Sequence, residues 1–233
     1  MADSLDENAK DKLVALTRGA ANAIPFVGGL LGEIVTDIIP GQRQERIITY
    51  LRELEQRIQA METEAAKAAL SHPEKIDLIE AGGYQAIRAT SQRRIAEIAE
   101  VVANGLKSEE SDIIRRKRLL TLLGEIDDDE AAILAAYGQS YGTGNRAGWD
   151  NIDRPDPPHL GSGKELIDQN QLYDLGKDHL IRLNLLKRRY GNVKKGEYPE
   201  FDHKTGTFKG SIEISYLGRM LLREMNVELP FED

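Results

Sequence analysis

The stretch Ser211-Ile212-Glu213-Ile214-Ser215-Tyr216-Leu217-Gly218-Arg219-Met220-Leu221-Leu222 decides how the C-terminal third of this chain is read. Its first five residues alternate polar and apolar, the period of a half-buried strand. From Tyr216 to Met225 the apolar residues recur at helical spacing. Upstream, Lys187–Tyr190 forms a second β-like stretch, and the turn residues Asp202-His203-Lys204-Thr205-Gly206 lie between the two strands. Two helical patterns precede them, Lys164–Leu175 and Asp178–Leu186. The second commits Leu180, Ile181, Leu183, Leu185 and Leu186 to packing.

Helix, helix, strand, turn-rich loop, strand, helix is the order of a winged-helix module. Residues 164–233 are therefore expected to form a small winged-helix-like α+β domain, a binding device for nucleic acid or protein. Its basic stretch, Ile181–Gly196, carries Arg182, Lys187, Arg188, Arg189, Lys194 and Lys195 with no acid among them. These six cations are the candidate contacts to nucleic acid or to a protein partner. Acids return at once in Glu197, Glu200 and Asp202, and the formal net charge of the whole chain is −8. Both disfavour DNA.

Working outward, residues 1–141 read as a helical bundle. Ser4 with Glu7 fits a capping box opening a helix to about Arg18. The apolar stretch Ala20–Pro40 contains Gly28 and Gly32 at Gly-x-x-x-Gly spacing, which lets helices pack backbone to backbone. Its uninterrupted apolar part, Ala23–Gly32, falls far short of the ~20 residues needed to span a bilayer. A core helix is expected there; a membrane-active element released on activation is the alternative. Gln42–Leu70 reads as one long helix with Ile47, Leu51, Leu54, Ile58, Met61, Ala65 and Ala68 in a heptad line.

Pro73 opens the next helix, loosened at Gly82-Gly83. Ser91 caps another, with Ile95, Ile98, Ala99 and Val102 inward and a stop at Asn104-Gly105. Ser108 is expected to cap Glu109–Leu123, and Asp127 with Glu130 to cap a helix through Tyr137. Residues 142–163, rich in Gly and Pro, are read as a linker or ordered loop. The expected fold class is thus mainly α: an N-terminal helical bundle, then the small C-terminal domain.

The composition of the 233 residues is that of a globular protein, 40% hydrophobic and 30% charged. With no cysteine there is no disulfide framework, thiolate metal site or thiol nucleophile, so a cytoplasmic setting is expected. The acidic N-terminus lacks the basic start of a secretory signal.

Local signatures of chemistry fail one by one. Gly161-Ser162-Gly163-Lys164 has Pro158 and Glu165 where a phosphate-binding loop needs Gly and Ser or Thr. Arg154 and His159 match the spacing of the ribonuclease motif of HEPN domains, but Pro155, Pro157 and Pro158 between them forbid the helix it needs. Asp150, Asp153, Asp156 and His159 share a polar loop, read as loop composition rather than a metal site. Arg115-Arg116-Lys117-Arg118 reads as a salt-bridged helix surface.

Three further elements carry a resemblance: Val102-Ala103-Asn104-Gly105-Leu106, the leucine helix Leu119-Leu120-Thr121-Leu122-Leu123, and the closing Leu217-Gly218-Arg219. In this order, after N-terminal helices, they resemble the Abi-alpha type of bacterial abortive-infection proteins. The resemblance implies a part in phage defence and supplies no reaction or site. The expected function is a non-enzymatic effector or interaction protein, with a protein partner or self-association and no cofactor, metal or small-molecule substrate. The alternatives are a DNA-binding regulator using the six cations, and a membrane-active toxin built on residues 20–40.

Overall fold

The computed structural model describes residues 42–108, 112–144, 146–150, 152–203 and 206–230. The expected capping box at Ser4, the whole 20–40 stretch and its Gly28 and Gly32 lie outside the described residues. The chain divides into two compact units, with the boundary between Gly124 and Glu125. The described part is mainly helical, with eight α-helices and a small antiparallel strand region near the C-terminus.

The first unit contains α1 (Gln42–Gln59), α2 (Thr63–Leu70), α3 (Pro73–Arg88), α4 (Gln92–Lys107) and α5 (Ile113–Glu125). Helix α1 packs on α4 and α3, which also pack on each other. Their shared core includes Ile47, Tyr50, Leu54, Ile58, Leu78, Ile79, Ile95, Ile98 and Val102, all buried. Beside it, Arg57 of α1 donates to Glu53 at 2.6 Å and to Glu100 of α4 at 2.7 Å. Burial alone would lower the Arg57 pKa; the two carboxylates outweigh it and the pKa rises. Ser91 caps α4 by accepting from the Arg94 amide, as the sequence implies.

Several expectations change here. The long helix expected over Gln42–Leu70 breaks at residues 60–62, between α1 and α2. The break shifts the helical phase: Ala65 and Ala68 of the heptad line are exposed, while Ala66, Ala69 and Leu70 are buried. Helix α3 runs unbroken through Gly82-Gly83, because those glycines admit a neighbour rather than end a helix. A Cβ on Gly82 would run into the Tyr50 hydroxyl and Val102. Likewise α4 does not stop at Asn104-Gly105 but continues to Lys107, with Gly105 giving way to Leu78. Ser108 follows α4, and its hydroxyl donates to the Gly105 carbonyl at 2.7 Å. In the basic run of α5, Arg115 pairs with Asp112 at 3.8 Å and Lys117 with Asp77 of α3.

The second unit holds α6 (Asp128–Ser140), a 3-10 turn (Ala147–Trp149), α7 (Lys164–Arg182), β1 (Leu186–Arg189), β2 (Phe201–Asp202), β3 (Thr207–Phe208), β4 (Ser211–Ile214) and α8 (Tyr216–Glu224). The capping box predicted at Asp127 is present: its carboxylate accepts from the Glu130 amide at 2.8 Å, and Glu130 accepts from the Asp127 amide at 3.0 Å. The sequence reading assigns this helix to the end of the bundle, up to residue 141. Its contacts are instead with α7, α8, β4 and the 3-10 turn. Part of the Gly/Pro-rich stretch is ordered on it through Trp149, whose ring meets Tyr137 edge-on at 4.9 Å.

The two helices expected before the strands are one. Helix α7 is continuous from Lys164 to Arg182 and runs through Gly176, where the break was expected. Two residues past its end, Asn184 adopts φ 59°, the left-handed conformation that commonly follows a helix C-terminus. Leu186, expected in a helix, is the first residue of β1. No helix among the described residues is long and apolar enough to cross a membrane.

Candidate functional site

Strands β1 and β4 pair antiparallel, from Leu186 opposite Ile214 to Arg189 opposite Ser211. Beyond them β2 and β3 pair Phe201 with Phe208 and Asp202 with Thr207. Residues 190–200 on one side of this hairpin therefore lie opposite only Lys209 and Gly210 on the other. They form an exposed excursion, fastened at its far end where the Lys209 amide donates to the Glu200 carbonyl at 2.7 Å. The Lys209 ammonium also pairs with the Glu200 carboxylate, and that hydrogen bond raises its pKa.

The structure places five of the six predicted cations along this hairpin and Arg182 at the end of α7, and gives three of them partners. Lys187 and Arg189 both reach Glu213 on β4, at 3.1 and 3.4 Å. Arg188 meets Asp178 of α7 at 2.9 Å. Arg182, at the end of α7, and Lys194 and Lys195, on the excursion, are exposed and make no ion pair among the described residues. The basic stretch has no acid within its own sequence, but folding brings Glu213 and Asp178 to it.

Aromatic side chains that the sequence reading did not single out stand on the same hairpin. Phe208 meets Tyr190 at 6.2 Å and Phe201 at 5.5 Å between ring centres, and Phe201 meets His203 at 5.1 Å, all edge to face. Tyr190, Phe201 and Phe208 remain partly exposed, and Tyr198 is 87% exposed. The signal was present as scattered aromatics, but the register that gathers them depends on the excursion, which no local pattern announces.

The Leu217-Gly218-Arg219 element has a structural account. Ser215 caps α8, its hydroxyl accepting from the Gly218 amide at 2.9 Å and donating to the Asn184 carbonyl at 2.6 Å. A Cβ on Gly218 would strike the Leu185 carbonyl oxygen. The glycine thus lets α8 pack against the chain that enters β1. Arg219 lies 4.9 Å over the Tyr141 ring and 4.5 Å over the Tyr216 ring, a double cation–π contact.

Of the histidines, His179 of α7 places Nδ1 at 2.6 Å from Oε1 of Glu130 on α6. The two are far apart in sequence, so no motif could mark the pair, and Glu130 is already held by its capping box. His159 folds back on Ser162, whose hydroxyl accepts from the His159 amide at 2.8 Å. Among the described residues no three His, Asp or Glu side chains are grouped to hold a metal ion.

What the hairpin offers is an exposed, mixed aromatic and charged surface rather than a continuous cationic one. Comparison with known protein families, with characterised proteins and with solved structures finds no match to this chain.

Proposed function

We propose that this chain is a non-enzymatic effector or interaction protein of a bacterial phage-defence system of the abortive-infection kind, acting in the cytoplasm. Its C-terminal unit, read as winged-helix-like, docks a protein partner or a second copy. The winged-helix reading draws on the order of helix, antiparallel hairpin and closing helix; the single α7 departs from the paired helices of that module. One observation carries the preference for protein over DNA. Three hairpin cations are committed to Glu213 and Asp178, so phosphates would have to compete with carboxylates already in place. Exposed aromatics beside them suit a protein surface.

Two experiments test it. Gel filtration with light scattering follows self-association, which Phe201→Ser with Phe208→Ser should abolish. Cells expressing the chain should resist phage, and full plaque numbers would sink the defence assignment.

DNA binding is the second reading, and the exposed Arg182, Lys194 and Lys195 favour it. It predicts salt-sensitive binding of duplex DNA that charge reversal of Arg188 and Arg189 abolishes. A membrane-active role for residues 20–40 predicts liposome leakage sensitive to Gly28→Leu and Gly32→Leu.

A further inference from the structure

A groove of about 480 Å³ opens within the second unit, between the first turns of α6, the middle of α7 and the loop at Ile152–Pro155. Every charged residue lining it is an acid: Asp127, Asp129, Glu130 and Asp153. Asp127 and Glu130 are used by the α6 cap and, for Glu130, by His179. Asp129 and Asp153 are exposed and make no ion pair among the described residues. The α7 wall presents Leu172 and Leu175, which are 69% and 60% exposed. Three residues apart, they share one helix face. Helix α7 is 19 residues long, yet its only buried residue is Leu180.

We infer that this groove is a docking site for a basic amphipathic helix of a partner protein. The inference rests on the reading of the C-terminal unit as a docking module, and it uses residues other than the hairpin. Charge complementarity and apolar area select the occupant together. Nucleic acid or an acidic peptide would bring like charge to Asp129 and Asp153. A purely apolar ligand would cover the leucines but desolvate the carboxylates without compensation. A helix with leucines on one face and lysines or arginines flanking them answers both demands. It also suits a groove between two helices, which takes a third by interleaving side-chain ridges.

The test uses the full chain and a fluorescent synthetic peptide of about 15 residues, patterned with Leu at i, i+3, i+4 and i+7 and Lys between. A second peptide replaces every Lys with Glu. The Lys peptide is expected to bind and the Glu peptide to fail. Asp129→Asn with Asp153→Asn should weaken binding about tenfold and flatten its salt dependence. Leu172→Ser with Leu175→Ser should weaken it at least as much, with the circular dichroism spectrum unchanged. Equal binding by wild type and both double variants would overturn the assignment, since the peptide would then follow the net acidic charge to other places. Loss of self-association in the Leu172→Ser, Leu175→Ser variant would also overturn it, because a second copy would be the occupant. A chain that leaves the peptide unbound yet self-associates through the hairpin keeps the docking function and loses this groove.

Discussion

The hydroxyl of Tyr50 on α1 donates a 2.9 Å hydrogen bond to the carbonyl oxygen of Ile79 inside α3. The side chain has no solvent exposure, and Gly82 lies against its hydroxyl. Helix α3 is thereby fixed to α1 by a polar contact within an apolar core. Tyr50→Phe should cost about 1 kcal/mol, the net worth of such a bond. Urea unfolding followed by circular dichroism reads it.

Burial also raises the pKa of the Tyr50 phenol. The neutral phenol is therefore favoured in the folded state more than in the unfolded one, where tyrosine ionises near about pH 10. Its contribution is whole below that pH and is lost as pH rises beyond it. Tyr50→Phe should accordingly lessen the drop in stability above about pH 10, seen in unfolding curves from neutral to alkaline pH.

Gly82→Ala reverses a familiar sign. At an open helix position the change would stabilise by about 1 kcal/mol. Here the new methyl meets the Tyr50 hydroxyl and Val102 and must displace a bonded side chain, so a loss of about 2 kcal/mol is expected. The same substitution on a Tyr50→Phe background should cost less, because the obstructing oxygen is gone. A double-mutant cycle measures that coupling.

At α8 the constraint is backbone against backbone. Gly218→Ala sets a methyl against the Leu185 carbonyl, which cannot swing aside as a side chain can, and should cost about 2 kcal/mol. Ser215→Ala removes the cap and the bond to Asn184, for about 1 to 2 kcal/mol. Thermal unfolding of the two variants beside wild type checks both.

The internal pairing of hairpin cations yields a prediction with opposite sign to the usual one. Glu213→Gln with Asp178→Asn should create or strengthen salt-sensitive binding to random duplex DNA, by releasing Lys187, Arg188 and Arg189. Fluorescence anisotropy over a salt series measures it. Unchanged binding would mean that the carboxylates do not mask these cations.

Among the described residues helix existence was legible at three starts: Ser91 before α4, Asp127 with Glu130 before α6, and the turn from β4 into α8. Two misread glycines share one physical origin. Gly82 and Gly105 resemble helix breakers in sequence, yet each sits inside a helix where another part of the chain comes close. Single-chain patterning registers the propensity of glycine and misses the tertiary neighbour that outweighs it. The six cations from Arg182 to Lys195 were legible as a basic stretch. Glu213 and Asp178, the partners of Lys187, Arg188 and Arg189, come from β4 and α7, so the degree of neutralisation depends on topology.

The one-sided excursion at residues 190–200 has a consequence for how such a protein can diversify. Because only Lys209 and Gly210 lie opposite it, its length is uncoupled from the register that seats Leu186 and Ile214 in the core. Doubling a flexible loop adds only about 0.6 kcal/mol of closure entropy. Lineages could therefore rewrite this segment, residue by residue or by insertion, and exchange one binding target for another while inheriting the same folded frame.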